Sequence, residues 1–490
     1  MDALELVDRI RRGACSAEEV VADAIGRIEQ SDPRINAVIH RRFERALAEA
    51  RARPAGPLAG VPILLKDASV TQAGEPWHEG LAVAKRAGHV ARTTSFLVER
   101  LIAAGCIVLG RTNVPELCSY VTTEPLAYGP TRNPWHPDYS AGGSSGGSGA
   151  AVAAGFVPIA HGSDGGGSVR VPASLCGVVG LKPTCGRLSA GPEFGEHWAG
   201  LSTDGFLARS VRDLAAVFDA VAGPHPSDPV QTPLLVPTLR ELDAPLPRLR
   251  VGLRTHGACG GDAAHPVVDA IARETARRFE AAGHVVEWSS PAALDEEEGV
   301  ARQGLVVAAC LAAELADWSR RLGRPIGSAE LEPRNRMTIE GARSITGAQV
   351  IEAREWLAAW SRRIVGWFGD WDLLLTPVLT QPSIRLGELP VEPTADELDA
   401  MRRRLGWLPG AWNVTGQPAI SVPAGRTPEG LPVGIQLVAG WGREDLLLRV
   451  ARWLERVQPW PKAAEPWPNE APPGRKGAPP LRKETGPRDA

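Results

Sequence analysis

An α/β layered fold in one large domain is what this 490-residue chain predicts, and three observations carry the expectation. Short apolar runs such as VPILLKD (61–67) and CIVLG (106–110) have the length and composition of buried strands. Segments with apolar residues at helical spacing, such as TSFLVERLIAAG (94–105), alternate with them and end on glycine, the succession expected of stacked helix and strand layers. Finally, no composition break or internal repeat divides residues 1–457. One body is therefore expected over that span.

In chain order, residues 1–55 read as helices. Ser16 with Glu19 makes a capping-box pattern ahead of VVADAIGRI, and RRFERALAEARAR continues the helical theme. The period then shortens at VPILLKD, a strand with one lysine, Lys66, near its end. A core segment spans 60–220 and closes with the helix SVRDLAAVFDAVAG (210–223). A proline-rich loop (224–247) leads to the strand RLRVGLR (248–254), the helix at 265–283 and the strand HVVEW (284–288). Residues 296–368 read as a helical region broken near Pro325 and Pro333. DLLLTPV (372–378), AISVP (419–423) and VGIQLVA (433–439) are late strands, and GREDLLLRVARWLERV closes the body with a helix. The tail 458–490, rich in proline and charge, is expected to be largely flexible, with its first half able to lie along the body.

A formal net charge of −3 gives no reason to expect a nucleic-acid or membrane-surface partner. The N-terminus lacks a basic start followed by an apolar run, and no apolar stretch of about 20 residues stands out as a bilayer span. Seven scattered cysteines without a Cys-x-x-Cys pair argue for reduced thiols in a cytoplasmic protein, without a disulfide framework or a zinc site. No metal or cofactor is expected. The oligomeric expectation is a monomer or homodimer.

The chemistry concentrates between Ser140 and Pro183. Two serine-bearing glycine clusters, GGSSGGSG from Gly142 and GSDGGGS from Gly162, flank a small-residue run too apolar for a linker. Glycine lets backbone approach a ligand and present N–H groups to it. A serine ending GGG, Ser168, sits where such donors can meet the charge that develops during acyl transfer. Its base is open between two residues. His161 is near in sequence but reads more simply as a histidine at a strand end. Lys66 ends an apolar strand, where burial lowers the cost of losing its proton, although on the strand alone a lysine snorkelling to water is the simpler reading.

GVPILLKD, GRTNVPE (110–116), GGSSGGSGAAVAAG, GSDGGGSVRVPASLCGVVGLKPT and NVTGQPAISVP, in that order, resemble the amidase signature family. The resemblance covers nearly the whole body. It implies an α/β/α sandwich with a mixed β-sheet and a Ser-cisSer-Lys triad. By motif position Lys66 matches the family's base, Ser168 its nucleophile and Ser144 the bridging serine, with a cis peptide expected between Gly143 and Ser144. The amides of Gly165, Gly166, Gly167 and Ser168 match the oxyanion hole. Ser145 takes a structural hydrogen-bonding role, and Asp164 with Arg170 a pair that holds the loop. Cys118 and Ser119 lie in a loop that lines the substrate cleft in relatives, with the Cys118 carbonyl a candidate acceptor for the scissile N–H. Cys310 is a third substrate-binding candidate, although its apolar helix also fits plain core packing.

The implied function is hydrolysis of a small-molecule carboxylic amide through an acyl-enzyme. Segments such as VTTEP (121–125), YGPTRNPW (128–135) and GRLSAGP (186–192) are most similar to members acting on nylon-type oligoamides, cyclic or linear. Aryl acylamides, aliphatic amides and carbamates stay open, as does the A subunit of a glutamine-dependent tRNA amidotransferase.

Overall fold

The computed structural model describes residues 1–233, 238–259 and 261–464. Its strands are β1 (Val38–Arg41), β2 (Pro62–Lys66), β3 (Ile107–Thr112), β4 (Arg132–Asn133), β5 (His136–Ser140), β6 (Ile159–Asp164), β7 (Val179–Lys182), β8 (Thr203–Ala208), β9 (Arg250–Leu253), β10 (Val285–Trp288), β11 (Leu373–Pro377), β12 (Ala419–Arg426) and β13 (Pro432–Ala439). Eleven of them form one sheet in the order β1-β3-β2-β6-β8-β7-β12-β13-β11-β9-β10. β2 runs parallel to both β3 and β6, while the strands from β6 through β8, β7, β12 and β13 to β11 pair antiparallel. The sheet is therefore mixed, as the resemblance implies.

The period-2 geometry of a strand sorts its side chains into two layers. Ile63 and Leu65 of β2 join a cluster with the helices Phe96–Ala103, Val211–Val221, Pro266–Ala281 and Glu444–Val457. Leu64, between them, packs on the other face with the helices Ala17–Ile35, Gly146–Ala153 and Arg170–Cys176. At the far end of the sheet Leu373 and Leu375 repeat the first pattern, and Leu374 faces the helices Glu297–Arg321 and Gly347–Trp367. These β2 and β11 residues are fully buried, the fate of a short apolar run covered by helices on both sides.

Lys66, two residues beyond Leu64, shares its face. Its register thus aims it at the layer holding Gly146–Ala153, the helix that begins two residues after Ser144.

Several elements depart from the sequence expectation or are not anticipated by it. β1 lies inside the span read as helices and forms an antiparallel edge on β3. Asp32 accepts the amides of Ala37 and Val38, ending the preceding helix and setting up the strand. Gly146–Ala153 and Arg170–Cys176 are helices inside the glycine-rich block, where glycine and serine offer little intrinsic propensity and complete burial supplies the stabilisation. Ala395–Leu405 is a further helix, opened by a capping box between Thr394 and Glu397.

Glu297–Arg321 is long and apolar enough to cross a membrane by length and composition, contrary to the expectation that no such stretch exists. Here it buries Val306, Leu311, Leu315 and Trp318 against protein. Of the tail, Trp460 packs into the core and the Ala464 amide donates to Ala153 O at 2.8 Å. The rest of the expected flexible segment, 465–490, lies outside the described residues.

Candidate active site

Lys66 is fully buried. Its Nζ lies 2.7 Å from Ser144 Oγ, 2.8 Å from Ser163 Oγ and 3.2 Å from the Ser163 carbonyl. Burial disfavours the ammonium and pulls the lysine below its ordinary range, while the negative charge available at Cys118, Asp164, Asp204 and Glu79 opposes the shift. The peptide between Gly143 and Ser144 is cis. Gly143 lies so close to the backbone of Tyr120–Thr122 that a Cβ would sit 2.6 Å from Tyr120 O. Only glycine fits there.

Ser168 and Ser144 line one small chamber together, and Ser168 also opens onto a larger cavity of about 180 Å³. Ser145 has a structural place: its amide donates to Ser168 O at 3.1 Å and its hydroxyl to Ser163 O at 3.2 Å. These bonds tie the two glycine clusters to each other.

The loop before Ser168 is built on Asp164 and Arg170, both fully buried. Arg170 forks onto the carboxylate through Nε to Oδ2 (2.9 Å) and Nη2 to Oδ1 (2.7 Å). Burial pushes the Asp164 carboxyl up, but the charge and hydrogen bonds of Arg170 outweigh it and hold the group below the usual carboxylate range. The remaining donors of Arg170 reach Pro409 O, Gln436 Oε1 and Asn413 Oδ1. Asn413 donates in turn to Asp164 O at 2.7 Å and Leu201 O at 3.0 Å. NVTGQP, more than two hundred residues downstream, is thus part of the same loop support.

One expected donor is engaged elsewhere. Gly165, Gly166, Gly167 and Ser168 all border the larger cavity, but the Gly167 amide points inward to Asp164 Oδ1 at 2.7 Å and anchors the loop. Gly167 has φ +120°, and a Cβ there would meet Pro409 Cβ at 2.7 Å.

His161 is not at the reacting end. It accepts the Lys66 amide at Nδ1 (3.3 Å) and bonds Asp204 through Nε2 (3.0 Å), a buried structural pair. Burial lowers its pKa against the pull of Asp204 and leaves it neutral.

Cys118 and Ser119 line the larger cavity. Leu117 and Cys118 both have positive φ, at 52° and 53°, and burial pushes the Cys118 thiol up to about 12. Ser119 Oγ donates to Asn335 Oδ1 at 2.5 Å, and Asn335 Nδ2 donates to Glu116 Oε2 at 2.8 Å. Burial, with Glu332 nearby, raises Glu116 to about 7. Replacing Asn335 by leucine is expected to break the link between Ser119 and Glu116 and raise KM by roughly tenfold, read from initial rates. Cys310 packs beside the cluster around Leu294 and Trp360, on the helix whose Val307 and Leu311 reach the cavity.

Several neighbours of the site are not singled out by the sequence patterns. Ser163, in GSDGGGS itself, is the second hydroxyl on Lys66. Trp198, Gln303, Arg334 and Trp407 line the cavity, and no local pattern marks them because they come from separate segments.

A hydrogen-bonded lysine and serine beside a glycine-lined cavity suit acyl transfer, and comparison with known proteins gives the class. Residues 19–448 match the Amidase family. The chain belongs to that family. As an amidase it is a hydrolase acting on amide bonds. It is 39% identical over 467 residues, 93% of its length and 94% of the relative's, to the 6-aminohexanoate-cyclic-dimer hydrolase of Paenarthrobacter ureafaciens. A solved structure of 6-aminohexanoate cyclic dimer hydrolase complexed with substrate superimposes on this amidase with a TM-score of 0.90 at 38% identity, covering 94% of this chain and 97% of that one. A bacterial aryl acylamidase of the amidase signature family follows the same fold with a TM-score of 0.86 at 28% identity, covering 94% of this chain and 96% of that one.

Proposed function

We propose that this amidase hydrolyses nylon-type oligoamides, cyclic or linear, through an acyl-enzyme on Ser168. The observation carrying the mechanism is the 2.7 Å contact between buried Lys66 and Ser144, in a chamber that Ser144 shares with Ser168. Neutral Lys66 takes the Ser144 proton as Ser144 takes that of Ser168, and Ser168 Oγ attacks the amide carbonyl. Gly165, Gly166 and Ser168 amides hold the oxyanion. The proton then returns through Ser144 to the leaving amine, and water releases the acid.

The substrate side rests on likeness and on the cavity. Its wall carries Val171, Val307, Leu311, Met401, Trp198 and Trp407, an apolar surface suited to an aliphatic chain, with Arg334 and Arg402 also in the lining. Aryl acylamides and carbamates fit the same wall and are the second reading. We further propose a reducing, cytoplasmic setting and no resident metal or cofactor, in keeping with the seven unpaired cysteines.

A panel of a cyclic amide dimer, linear oligoamides, anilides, a carbamate and glutamine decides the substrate. The oligoamides are expected to give the highest kcat/KM. Activity confined to glutamine, and only with partner subunits, would instead make the protein an amidotransferase subunit. The pH profile tests the base. Because neutral lysine is the working form and burial lowers its pKa, kcat/KM is expected to rise with pH and level off below the ordinary lysine range. A rate still climbing through pH 10 would remove Lys66 from that role.

A further inference from the structure

Behind the two serines lies a chamber of about 10 Å³, room for one water molecule. Its lining brings Ser144, Ser163 and Ser168 together with Glu79, Glu314, His197 and Ser202. It meets the larger cavity at Ser168, since Cys118, Gly165, Ser168 and Trp198 line both. Neither an acyl chain nor an amine of any length fits in it.

The two glutamates are held in a built arrangement. Trp318 Nε1 donates to Glu79 Oε2 at 2.7 Å, and Trp198 Nε1 donates to Glu314 Oε2 at 3.0 Å. Burial raises both carboxyls, Glu314 well above the ordinary range with the charge of Glu79 adding to the rise, so the pair favours holding a proton. Glu79 Oε1 and His197 Nε2 are both buried without a hydrogen-bond partner. Burial holds His197 neutral, with a pKa of about 4. Unpaired buried polar atoms around a water-sized space are the usual lining of a bound water.

We propose that this chamber holds the water that hydrolyses the acyl-enzyme, with the Glu79–Glu314 pair and His197 as positioning residues. The inference rests on the acyl-enzyme reading given above. Water oxygen bonds to the acyl carbon while one of its protons passes through Ser144 to neutral Lys66. The C–Oγ bond then breaks, and Lys66 returns that proton through Ser144 to Ser168 Oγ. Throughout, the second hydrogen stays covalently on the water oxygen, which donates it in a hydrogen bond to the carboxyl pair and so has its direction of attack fixed, and it leaves as part of the released acid.

The test separates acylation from deacylation. Glu79→Gln and Glu314→Gln are made singly and mixed with hexanoyl 4-nitroanilide; nitroaniline release reports acylation, and quenched intact-mass measurement follows the adduct on Ser168. Acylation is expected within about threefold of the unaltered enzyme, while the adduct lives on the order of tenfold to a hundredfold longer, giving a one-equivalent burst. Parental adduct decay in both variants, or an equal fall in both steps, overturns the proposal. Turnover by the unaltered enzyme with no Ser168 adduct and full activity in Ser168→Ala defeats the acyl-enzyme reading itself, and the proposal with it. If neither variant folds, a high-resolution crystal structure of the unaltered enzyme decides: water within hydrogen-bond distance of Glu79 Oε1 and His197 Nε2 is expected, and a dry chamber overturns the assignment.

Discussion

Ser168→Ala is expected to reduce turnover by about 10⁶-fold, to the residual rate that binding and backbone donors alone supply. The size follows from the role. Without Oγ no acyl-enzyme forms, and the Lys66–Ser144 pair has no nucleophile to deprotonate. Substrate affinity should change little, because the cavity wall is contributed by separate segments such as 118–121, 300–311 and 398–407. Calorimetry with a non-cleaved amide and product release by chromatography measure the two quantities separately. Retention of more than a few per cent of kcat would place the nucleophile elsewhere. Ser144→Ala should also be severe, since it removes the 2.7 Å link to Lys66, yet less complete, because Ser168 Oγ remains in place.

How much of this was legible beforehand depends on the distance over which each feature is encoded. The strands around Lys66 and Leu373–Leu375 announced themselves because a short apolar run has few other fates. Gly146–Ala153 did not, because its glycines and serines argue against a helix and only its neighbours decide the matter. Lys66, Ser144 and Ser168 are marked by ordered motifs, and the alternation of side chains along β2 explains why the lysine reaches the serine. Local sequence could not tell that the Gly167 amide turns inward, since that depends on where Asp164 points. Glu79, Glu314 and His197 were invisible for a similar reason: they meet only when three distant segments fold together. Cys310 stands between these cases, because an apolar helix pattern cannot say which turn faces a cavity.

Arg170→Ala is expected to be the most destabilising single change near the site, by roughly 3–5 kcal/mol, because it leaves the Asp164 carboxylate buried without its cation. The pH dependence gives the argument its sign. In the unaltered protein Asp164 has a depressed folded pKa, so its contribution is present above the unfolded value of about 3.9 and is lost only as pH falls through the lower folded one. Without Arg170 burial dominates and the folded pKa rises above the unfolded value, so the penalty grows as pH climbs from acid toward neutrality. The gap in thermal midpoint between the two proteins is therefore expected to be widest near pH 7 and to narrow toward about pH 4.5. Arg170→Lys should fall between them. It restores a charge but not the fork onto both carboxylate oxygens or the reach to Pro409, Gln436 and Asn413. Because Gly167 hangs on the same carboxylate, kcat should fall in both variants with the loop that presents Ser168. A midpoint gap that is constant with pH, or one that widens in acid, would mean that Arg170 acts through packing and not through Asp164.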